Sequence, residues 1–152
     1  MSGTRLTPKQ VLDLIPQQDP FRFIDEILEV DDDHIVGTYR FCPDSDFYRG
    51  HFPGNPVTPG VILIEALAQV GIVALGIFLL ARESEAEVTK TMTLFTDTNV
   101  EFAGIVNPGD RVTITAEKVF FRRRKLRSSA EMKLDDGTIV CSGTVSGMGI
   151  TK

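Results

Sequence analysis

Two residues of the types that perform acid–base chemistry lie close together in an unusual stretch of this sequence. His51 sits in a loop rich in glycine and proline, residues 50–60, and Glu65 sits in the apolar run 61–81 that follows it. An imidazole is the usual base for a weakly acidic proton, and a buried carboxyl group has a raised pKa that lets it donate a proton near neutral pH. Because a lone carboxylate in an apolar helix is costly without a partner or a task, the pair indicates proton transfer.

The residues between the histidine and the glutamate predict the start of a helix. Thr58 is a suitable N-cap and Pro59 suits the first helical position, which places Gly60 and Val61 at the second and third positions. Their backbone N–H groups lack partners inside the helix and point along the positive end of its dipole. The sequence therefore predicts a site for a carbonyl oxygen or an oxyanion, to which Gly60 gives close access.

Each of these features also has an ordinary structural interpretation. His51 could be a structural loop histidine, Glu65 could be an acid paired with Gln69 one turn later or with a loop amide, and the helix start could be simply capped by Thr58. Their combination favours an acid–base site beside a group that polarises a carbonyl. The sequence has no nucleophile motif, so we expect elimination or hydration rather than covalent catalysis.

Length and composition set the broad class. The 152 residues are 42% hydrophobic and 24% charged, which predicts one globular domain, residues 1–152. The net charge of -5 argues against a general nucleic-acid binder. Cys42 and Cys141 fit no metal spacing and are expected to be small, buried or half-buried hydrophobic residues, so no metal or cofactor is predicted. Residues 1–10 show no signal-peptide pattern, which makes the cytoplasm the expected compartment.

The apolar run from Val61 to Ala81 is the element that must position the site. It is long enough to span a bilayer, but Glu65 and Gln69 interrupt its first half and its aromatic and basic flanks are weak. A helix that is apolar all round can also be buried in a protein core. We therefore predict a buried core helix that ends near Arg82, and no membrane span.

The rest of the chain is predicted to form strands around this helix. A short helix is expected at residues 8–14, an irregular loop at 43–60 and a polar loop at 83–90. Strands are expected near 21–30 and at 35–42, 91–102, 111–121, 125–134 and 138–147. Because the last three strands follow one another through hairpins, the predicted class is α+β, with an antiparallel sheet curled around the long helix.

A dense basic cluster stands out in this acidic chain. It lies at a turn between two predicted strands and consists of Arg122, Arg123, Arg124, Lys125 and Arg127. The ordinary interpretation is a solvated hairpin. The alternative is a docking patch for an acidic partner, where local charge steers the encounter despite the negative total.

Residues 50–69, which begin Gly-His-Phe-Pro-Gly-Asn-Pro, closely resemble the signature of the FabZ-type β-hydroxyacyl-[acyl-carrier-protein] dehydratases. The resemblance continues at residues 23–25, 106–110 and 137–141. It implies the hotdog fold, a long helix wrapped by an antiparallel sheet, in homodimers that are often assembled as trimers of dimers. It also implies a lyase that converts a 3-hydroxyacyl thioester, held on the phosphopantetheine arm of acyl carrier protein, into the trans-2-enoyl thioester in fatty-acid or polyketide-like biosynthesis.

The same resemblance implies roles for individual residues. His51 would act as the base on the acyl α-carbon, and Glu65 of the partner subunit would manage the departing hydroxyl group, directly or through a water. The active site would then lie at the dimer interface. The Gly60 amide would hold the thioester carbonyl, with Val61 beside it. Glutamate rather than aspartate at position 65 is similar to the FabZ branch and not to the isomerising FabA branch.

The chain departs from the family pattern in the strand that ends at Phe102. Many members have an aromatic pair there that gates the acyl tunnel, whereas this chain has Thr93 and Leu94. In many family members basic residues flank the phenylalanine at this position. In this chain Phe102 is preceded by Glu101 and followed by Ala-Gly at residues 103–104. The resemblance therefore does not predict which acyl chain length this protein prefers, nor part of the surface on which the carrier protein would dock. Two other functions remain open: a hotdog acyl thioesterase and a non-catalytic acyl-binding module.

Overall fold

One antiparallel sheet packs against a long apolar helix in the computed structural model, which describes residues 3–152. Residues 1 and 2 lie outside the described part. They belong to the predicted domain, residues 1–152, and to the segment 1–10 that shows no signal-peptide pattern. The helices are α1 (Pro8–Leu14), α2 (Phe47–Gly50), α3 (Gly60–Ala68), α4 (Leu75–Glu83) and α5 (Glu85–Val88). The strands are β1 (Glu26–Val30), β2 (His34–Arg40), β3 (Thr91–Phe102), β4 (Arg111–Arg122), β5 (Lys125–Leu134) and β6 (Ile139–Thr151).

The sheet has the strand order β1-β2-β4-β5-β6-β3, and every neighbouring pair is antiparallel. β4, β5 and β6 follow one another through hairpins, as predicted, and β3 reaches the edge beside β6 by a longer connection. The predicted α+β class and hotdog fold are confirmed, because the long helix packs across the face of this sheet. β3 is an edge strand, so one side of its backbone has no strand partner within the described part of the chain.

The central helix runs from Gly60 to Glu83 as α3, a π-helical segment (Gln69–Ala74) and α4. Its length and mean hydropathy would allow a membrane crossing, yet 72% of its most apolar window is buried inside the protein. This burial supports the prediction of a core helix. All six residues of the π-helical segment are buried, and this segment contacts β2, β4, β5 and β6.

Local packing shows why the middle of the helix can lie so close to the sheet. A Cβ atom at Gly71 would lie 3.2 Å from the Cβ atom of Ala116 on β4, so only glycine fits there without a shift. The Ser128 hydroxyl donates a hydrogen bond of 2.7 Å to the Gly71 carbonyl. This bond satisfies a backbone group in a segment whose helical hydrogen-bond pattern has changed.

The structure corrects several sequence predictions. The loop predicted at 43–60 contains the short helix α2, and the loop predicted at 83–90 contains α5. Cys141 is buried, as predicted, but Cys42 is exposed, because it follows the end of β2 where the chain leaves the sheet. Strand β6 also extends beyond its predicted end to Thr151.

Candidate active site

His51 is held in one orientation by the loop around it. It follows α2 directly, and its backbone N–H donates to the Phe47 carbonyl at 3.0 Å. Its ring Nδ1 lies 2.9 Å from the Val57 carbonyl oxygen. Because a carbonyl oxygen can only accept, Nδ1 carries the proton and the lone pair of the neutral ring is on Nε2. The half-buried imidazole is therefore oriented to act as a base through Nε2.

The same loop is tied to the body of the protein. The Val57 N–H donates to the His51 carbonyl at 3.3 Å, and the Thr58 N–H donates to the Val106 carbonyl at 2.9 Å. The hydroxyl groups of Tyr48 and Thr58 form a buried hydrogen bond. These bonds connect α2, the histidine loop and the start of the central helix into one unit.

The start of the helix differs by one residue from the prediction. Pro59 is the N-cap and has no side-chain cap bond, so Gly60 is at the first helical position and Val61 at the second. Thr58 is not the N-cap, because its hydroxyl group is bonded to Tyr48. Among residues 3–152, no group accepts a hydrogen bond from the Gly60 or Val61 N–H. Val61 is 73% exposed, so this end of the helix presents free donors to a ligand.

Phe102, at the end of β3, packs on the Gly60 backbone. A Cβ atom at Gly60 would lie 3.1 Å from the tip of the Phe102 ring. Any larger residue at position 60 would therefore require the Phe102 ring to shift, so packing as well as ligand access favours glycine here. Phe102 was not among the predicted site residues. Its place at the carboxyl end of a strand was the available signal, but the contact with Gly60 depends on the three-dimensional fold.

Glu65 is half-buried and bonded on one oxygen only. Its Oε2 accepts a hydrogen bond of 2.9 Å from Gln69 Nε2. Gln69, whose exposed fraction is 0%, also accepts from the Phe23 N–H at 2.8 Å and donates to the Phe21 carbonyl at 3.0 Å. The pairing of Glu65 with Gln69, which the sequence offered as the ordinary structural interpretation of this acid, is therefore present. Glu65 Oε1 has no hydrogen-bond partner among the residues described, which leaves it available to a substrate.

Burial raises the pKa of the Glu65 carboxyl above its ordinary value of 4.5, and the hydrogen bond from Gln69 opposes this shift to a smaller extent. Desolvation disfavours the charged form of a carboxyl group. The net shift favours the protonated form at a given pH, as a proton donor requires.

We expect the stability of the wild type to fall relative to a Glu65→Gln variant as the pH rises above about 4.5. A carboxyl group whose pKa is raised by folding contributes stability below its unfolded pKa, and this contribution is lost as the pH rises through the folded pKa. Urea unfolding of both proteins between about pH 4 and pH 8 measures the difference, because the other titrating groups are common to both. If the free energy of unfolding of the wild type instead increased relative to that of the variant as the pH rises, the raised pKa of Glu65 would be contradicted.

A cleft of about 160 Å³ opens beside Glu65. Its other lining residues come from the N-terminal segment, the central helix and β3, and they are Gln17, Ala68, Ile72, Val73, Thr93, Leu94 and Phe95. Thr93 and Leu94, where relatives were expected to have an aromatic pair, thus lie at the candidate substrate cleft. His51 does not line it. A single chain therefore does not place the imidazole in the cleft of its own glutamate.

The predicted basic patch is largely paired with acids. Arg124 binds Glu87 at 2.8 Å, and both Lys125 and Arg127 approach Asp97, at 3.9 and 3.3 Å. The Arg122 guanidinium lies 4.5 Å from the centre of the Phe120 ring, and Arg123 is exposed in the turn. Arg122 and Arg123 form no ion pair among the described residues. Within this cluster, the positive charge without an acidic partner in the described residues is therefore on Arg122 and Arg123.

Solved structures with the same fold include enzymes of two kinds. A thioesterase from Haemophilus influenzae aligns with a TM-score of 0.69 at 18% identity, covering 99% of this chain and 94% of the other. A chain of the dehydratase heterocomplex ApeI:P from Xenorhabdus doucetiae aligns with a TM-score of 0.70 at 15% identity, covering 97% and 94%. At these identities the comparison establishes the fold alone.

Sequence comparison is more specific. A family model described as FabA-like domain matches residues 15–144. The 3-hydroxyacyl-[acyl-carrier-protein] dehydratase FabZ of Caldicellulosiruptor bescii is 36% identical over 135 residues, or 88% of this chain and 91% of the relative. The protein of the same name from Streptococcus uberis is 35% identical over 139 residues, or 91% and 94%. The chain therefore belongs to the FabA-like family, among the FabZ-type 3-hydroxyacyl-[acyl-carrier-protein] dehydratases.

Proposed function

We propose that this protein dehydrates a 3-hydroxyacyl thioester, held on the phosphopantetheine arm of acyl carrier protein, to the trans-2-enoyl thioester and water. The observation that carries the proposal is the orientation of His51, whose Nδ1 is bonded to the Val57 carbonyl so that Nε2 is free to act as a base. The names of the relatives support the same reaction. The reaction belongs to cytoplasmic fatty-acid biosynthesis or to a related polyketide-like pathway.

The free backbone donors would begin the reaction. The Gly60 N–H, with the Val61 N–H beside it, donates a hydrogen bond to the thioester carbonyl oxygen at the helix start. This bond draws electron density from the α-carbon and makes its proton more acidic. His51 Nε2 removes that proton, and the electron pair of the C–H bond becomes the new double bond. Glu65, in its acid form, gives its proton to the departing 3-hydroxyl group, which leaves as water. Proton exchange with solvent restores both side chains, so the step balances without a cofactor.

The edge strand β3 provides the physical reason for a homodimer. It is 12 residues long, and among residues 3–152 its one strand partner is β6. It also exposes large apolar side chains, Met92, Leu94, Phe95 and Phe102, to between 42% and 49% of their surface. A long, apolar edge promotes pairing with another strand. We propose that it pairs with β3 of a second copy around a two-fold axis.

This pairing would complete the active site. Leu94 and Phe95 belong both to the exposed edge and to the lining of the Glu65 cleft. A second copy that covers the edge therefore also covers the cleft, and it would supply His51 of the partner subunit. Assembly of such dimers into trimers remains an expectation from the family.

Arg122 and Arg123 are the residues that we propose for docking an acidic carrier protein. The other members of the cluster, Arg124, Lys125 and Arg127, already have acidic partners. Exposed charges influence the rate of encounter more than the final affinity, and they do so most strongly at low salt. Their contribution is thus expected to be in the association step.

The test of the function is incubation of the protein with carrier protein that bears a 3-hydroxyacyl chain. We expect mass spectrometry of the carrier to show loss of one water from the acyl chain, and a thiol assay to show no release of the carrier's thiol. Release of free thiol would instead establish the thioesterase. Tight binding of the acyl carrier without either product would establish a binding module.

A further inference from the structure

Tyr48 carries a buried polar group that the proposed reaction does not use. It lies in α2, shortly before His51, and only 5% of its surface is exposed. Its hydroxyl group forms a hydrogen bond with the hydroxyl group of Thr58, which is buried as well. Burial raises the pKa of Tyr48 above its ordinary value of 10.0, so the hydroxyl group stays protonated near neutral pH. Tyr48 does not line the Glu65 cleft, so it is suited to hold other groups in place and not to exchange protons with a substrate.

The Val57–Thr58 peptide unit is the part of the loop that orients the candidate base. Its carbonyl group accepts the hydrogen bond from His51 Nδ1 at 2.9 Å, and its N–H group donates to the Val106 carbonyl at 2.9 Å. The C=O and N–H groups of a planar trans peptide point in opposite directions. This peptide unit is therefore held from both sides, by the imidazole on one side and by the connection between β3 and β4 on the other.

The hydroxyl pair joins the two ends of the loop that separates the histidine from its acceptor. Residues 52–56, which connect His51 to Val57, are all exposed, so little packing holds them in place. Tyr48 lies before this exposed segment and Thr58 lies after it, and their buried hydrogen bond spans it. The other bond across these ends, from the Val57 N–H to the His51 carbonyl, is longer, at 3.3 Å, and therefore weaker. The distance between the imidazole and the Val57 carbonyl thus depends on the hydroxyl pair.

The same pair also fixes the start of the central helix. Thr58 directly precedes the N-cap Pro59, and Gly60 with its free N–H group follows. The ring of Pro59 restricts its φ, which is -59°, so this residue transmits the position of Thr58 to Gly60 with little freedom. One hydrogen bond therefore influences both the orientation of the base and the position of the carbonyl donor.

We propose that Tyr48 and Thr58 are positioning residues of the dehydration site. Their hydroxyl pair holds the Val57 carbonyl where it keeps the His51 ring in the form protonated on Nδ1, and it holds the Gly60 N–H in place relative to that ring. The dehydration rests on the proposed function. The effect of the pair on the ring does not, because the contacts that produce it lie within the protein.

The first experiment removes each hydroxyl group and keeps the shape of the side chain, in Tyr48→Phe, in Thr58→Val and in the double variant. Turnover is measured with a 3-hydroxyacyl carrier substrate. We expect kcat to fall about tenfold or more in each variant, because a misplacement of about 1 Å can cost on the order of 100-fold in rate. KM should change little, since no group that contacts the substrate is removed. Thr58→Ser keeps the hydroxyl group and should lose much less turnover than Thr58→Val.

Urea unfolding of the same variants separates positioning from a purely structural role. Each single variant leaves the other hydroxyl group buried without a partner, which destabilises the protein, whereas the double variant removes both groups. We therefore expect the double variant to lose less stability than the two single variants added together. Its kcat should stay as low as theirs, because the bond is still absent. If the turnover of the double variant returned to the wild-type value together with its stability, the proposal would be wrong.

The ring of His51 can be observed without any turnover. Nitrogen-15 NMR spectra of protein labelled at histidine, recorded at about pH 8.5 where an ordinary imidazole is neutral, show which ring nitrogen carries the proton. The wild type should show His51 protonated on Nδ1, and Tyr48→Phe should show a mixture of both forms. His34 provides an internal control, since its signals should be the same in the two proteins, and a His34→Ala variant assigns them.

Tyr39→Phe is the matched control, because it removes the same hydroxyl group from a tyrosine of β2. Its kcat and its His51 signals should equal those of the wild type. If the wild type dehydrates the substrate and Tyr48→Phe changes neither kcat nor the His51 signals, the positioning proposal is wrong. If the wild type does not dehydrate the substrate but the His51 signals still change in Tyr48→Phe, the proposed function is wrong and the positioning role is supported.

Discussion

Replacing His51 with alanine is expected to lower kcat for dehydration by about 10²–10⁴-fold, which is the usual contribution of a general base. The reason is the hydrogen bond from Nδ1 to the Val57 carbonyl, which leaves Nε2 as the proton acceptor. The other described imidazole, His34, lies at the start of β2, where its ring nitrogens contact the carboxylates of Glu29 and Asp31 at 2.8 and 2.9 Å. Steady-state kinetics with a 3-hydroxyacyl carrier substrate measures the loss.

The second histidine provides a matched control. A His34→Ala variant removes the same side chain from a surface cluster, so its turnover should equal that of the wild type. Thermal unfolding should show that both variants are folded. Retention of near-wild-type turnover by His51→Ala would remove the histidine from the mechanism and, with it, the proposed reaction.

Much of the fold could be predicted because local and global signals agree in this sequence. Helix α1 spans the predicted residues, and Thr7 and Gln10 form the capping box that holds its first turn. Strand β3 also has the predicted bounds, and Gly137 adopts the positive φ that its hairpin turn requires. Periodicity, caps and turn residues act over a few positions, so they can be recognised without the three-dimensional structure.

The parts that were not predicted depend on contacts between distant segments. The π-helical segment Gln69–Ala74 has the composition of any apolar helix, and its changed hydrogen-bonding depends on packing against the sheet and on Ser128. Thr58 was predicted as the N-cap from its type and position, but its hydroxyl group is bonded to Tyr48. The Thr58 hydroxyl group thus bonds to Tyr48 and does not cap the helix, which begins one residue later than predicted.

The candidate site shows the same division. Residue type and spacing indicated His51, Glu65 and Gly60, because these side chains and this backbone group are unusual where they stand. Sequence also indicated that Gln69 could pair with Glu65, since the two are one turn apart. The further bonds from Gln69 to the segment at residues 21–23 join positions far apart in the chain, and no local pattern predicts them.

The strongest test of the shared site uses two inactive variants together. His51→Ala lacks the base, and Glu65→Gln lacks the acid while retaining the size of the side chain. Each alone is expected to lose most turnover. In a two-fold dimer in which each site combines His51 of one subunit with Glu65 of the other, a mixed dimer has one site with both defects and one site with neither.

Mixing equal amounts of the two variants under conditions that exchange subunits is expected to restore about a quarter of wild-type activity, because half of the randomly formed dimers are mixed and each has one intact site of two. The cleft beside Glu65 supports this arrangement, since the chain's own His51 does not line it and the exposed residues Leu94 and Phe95 do. The activity of the mixture is measured against each variant alone, and size-exclusion chromatography confirms that dimers are present. If the mixture stays as inactive as its components although mixed dimers have formed, His51 and Glu65 must act within one chain, and the loop would have to move to bring them together.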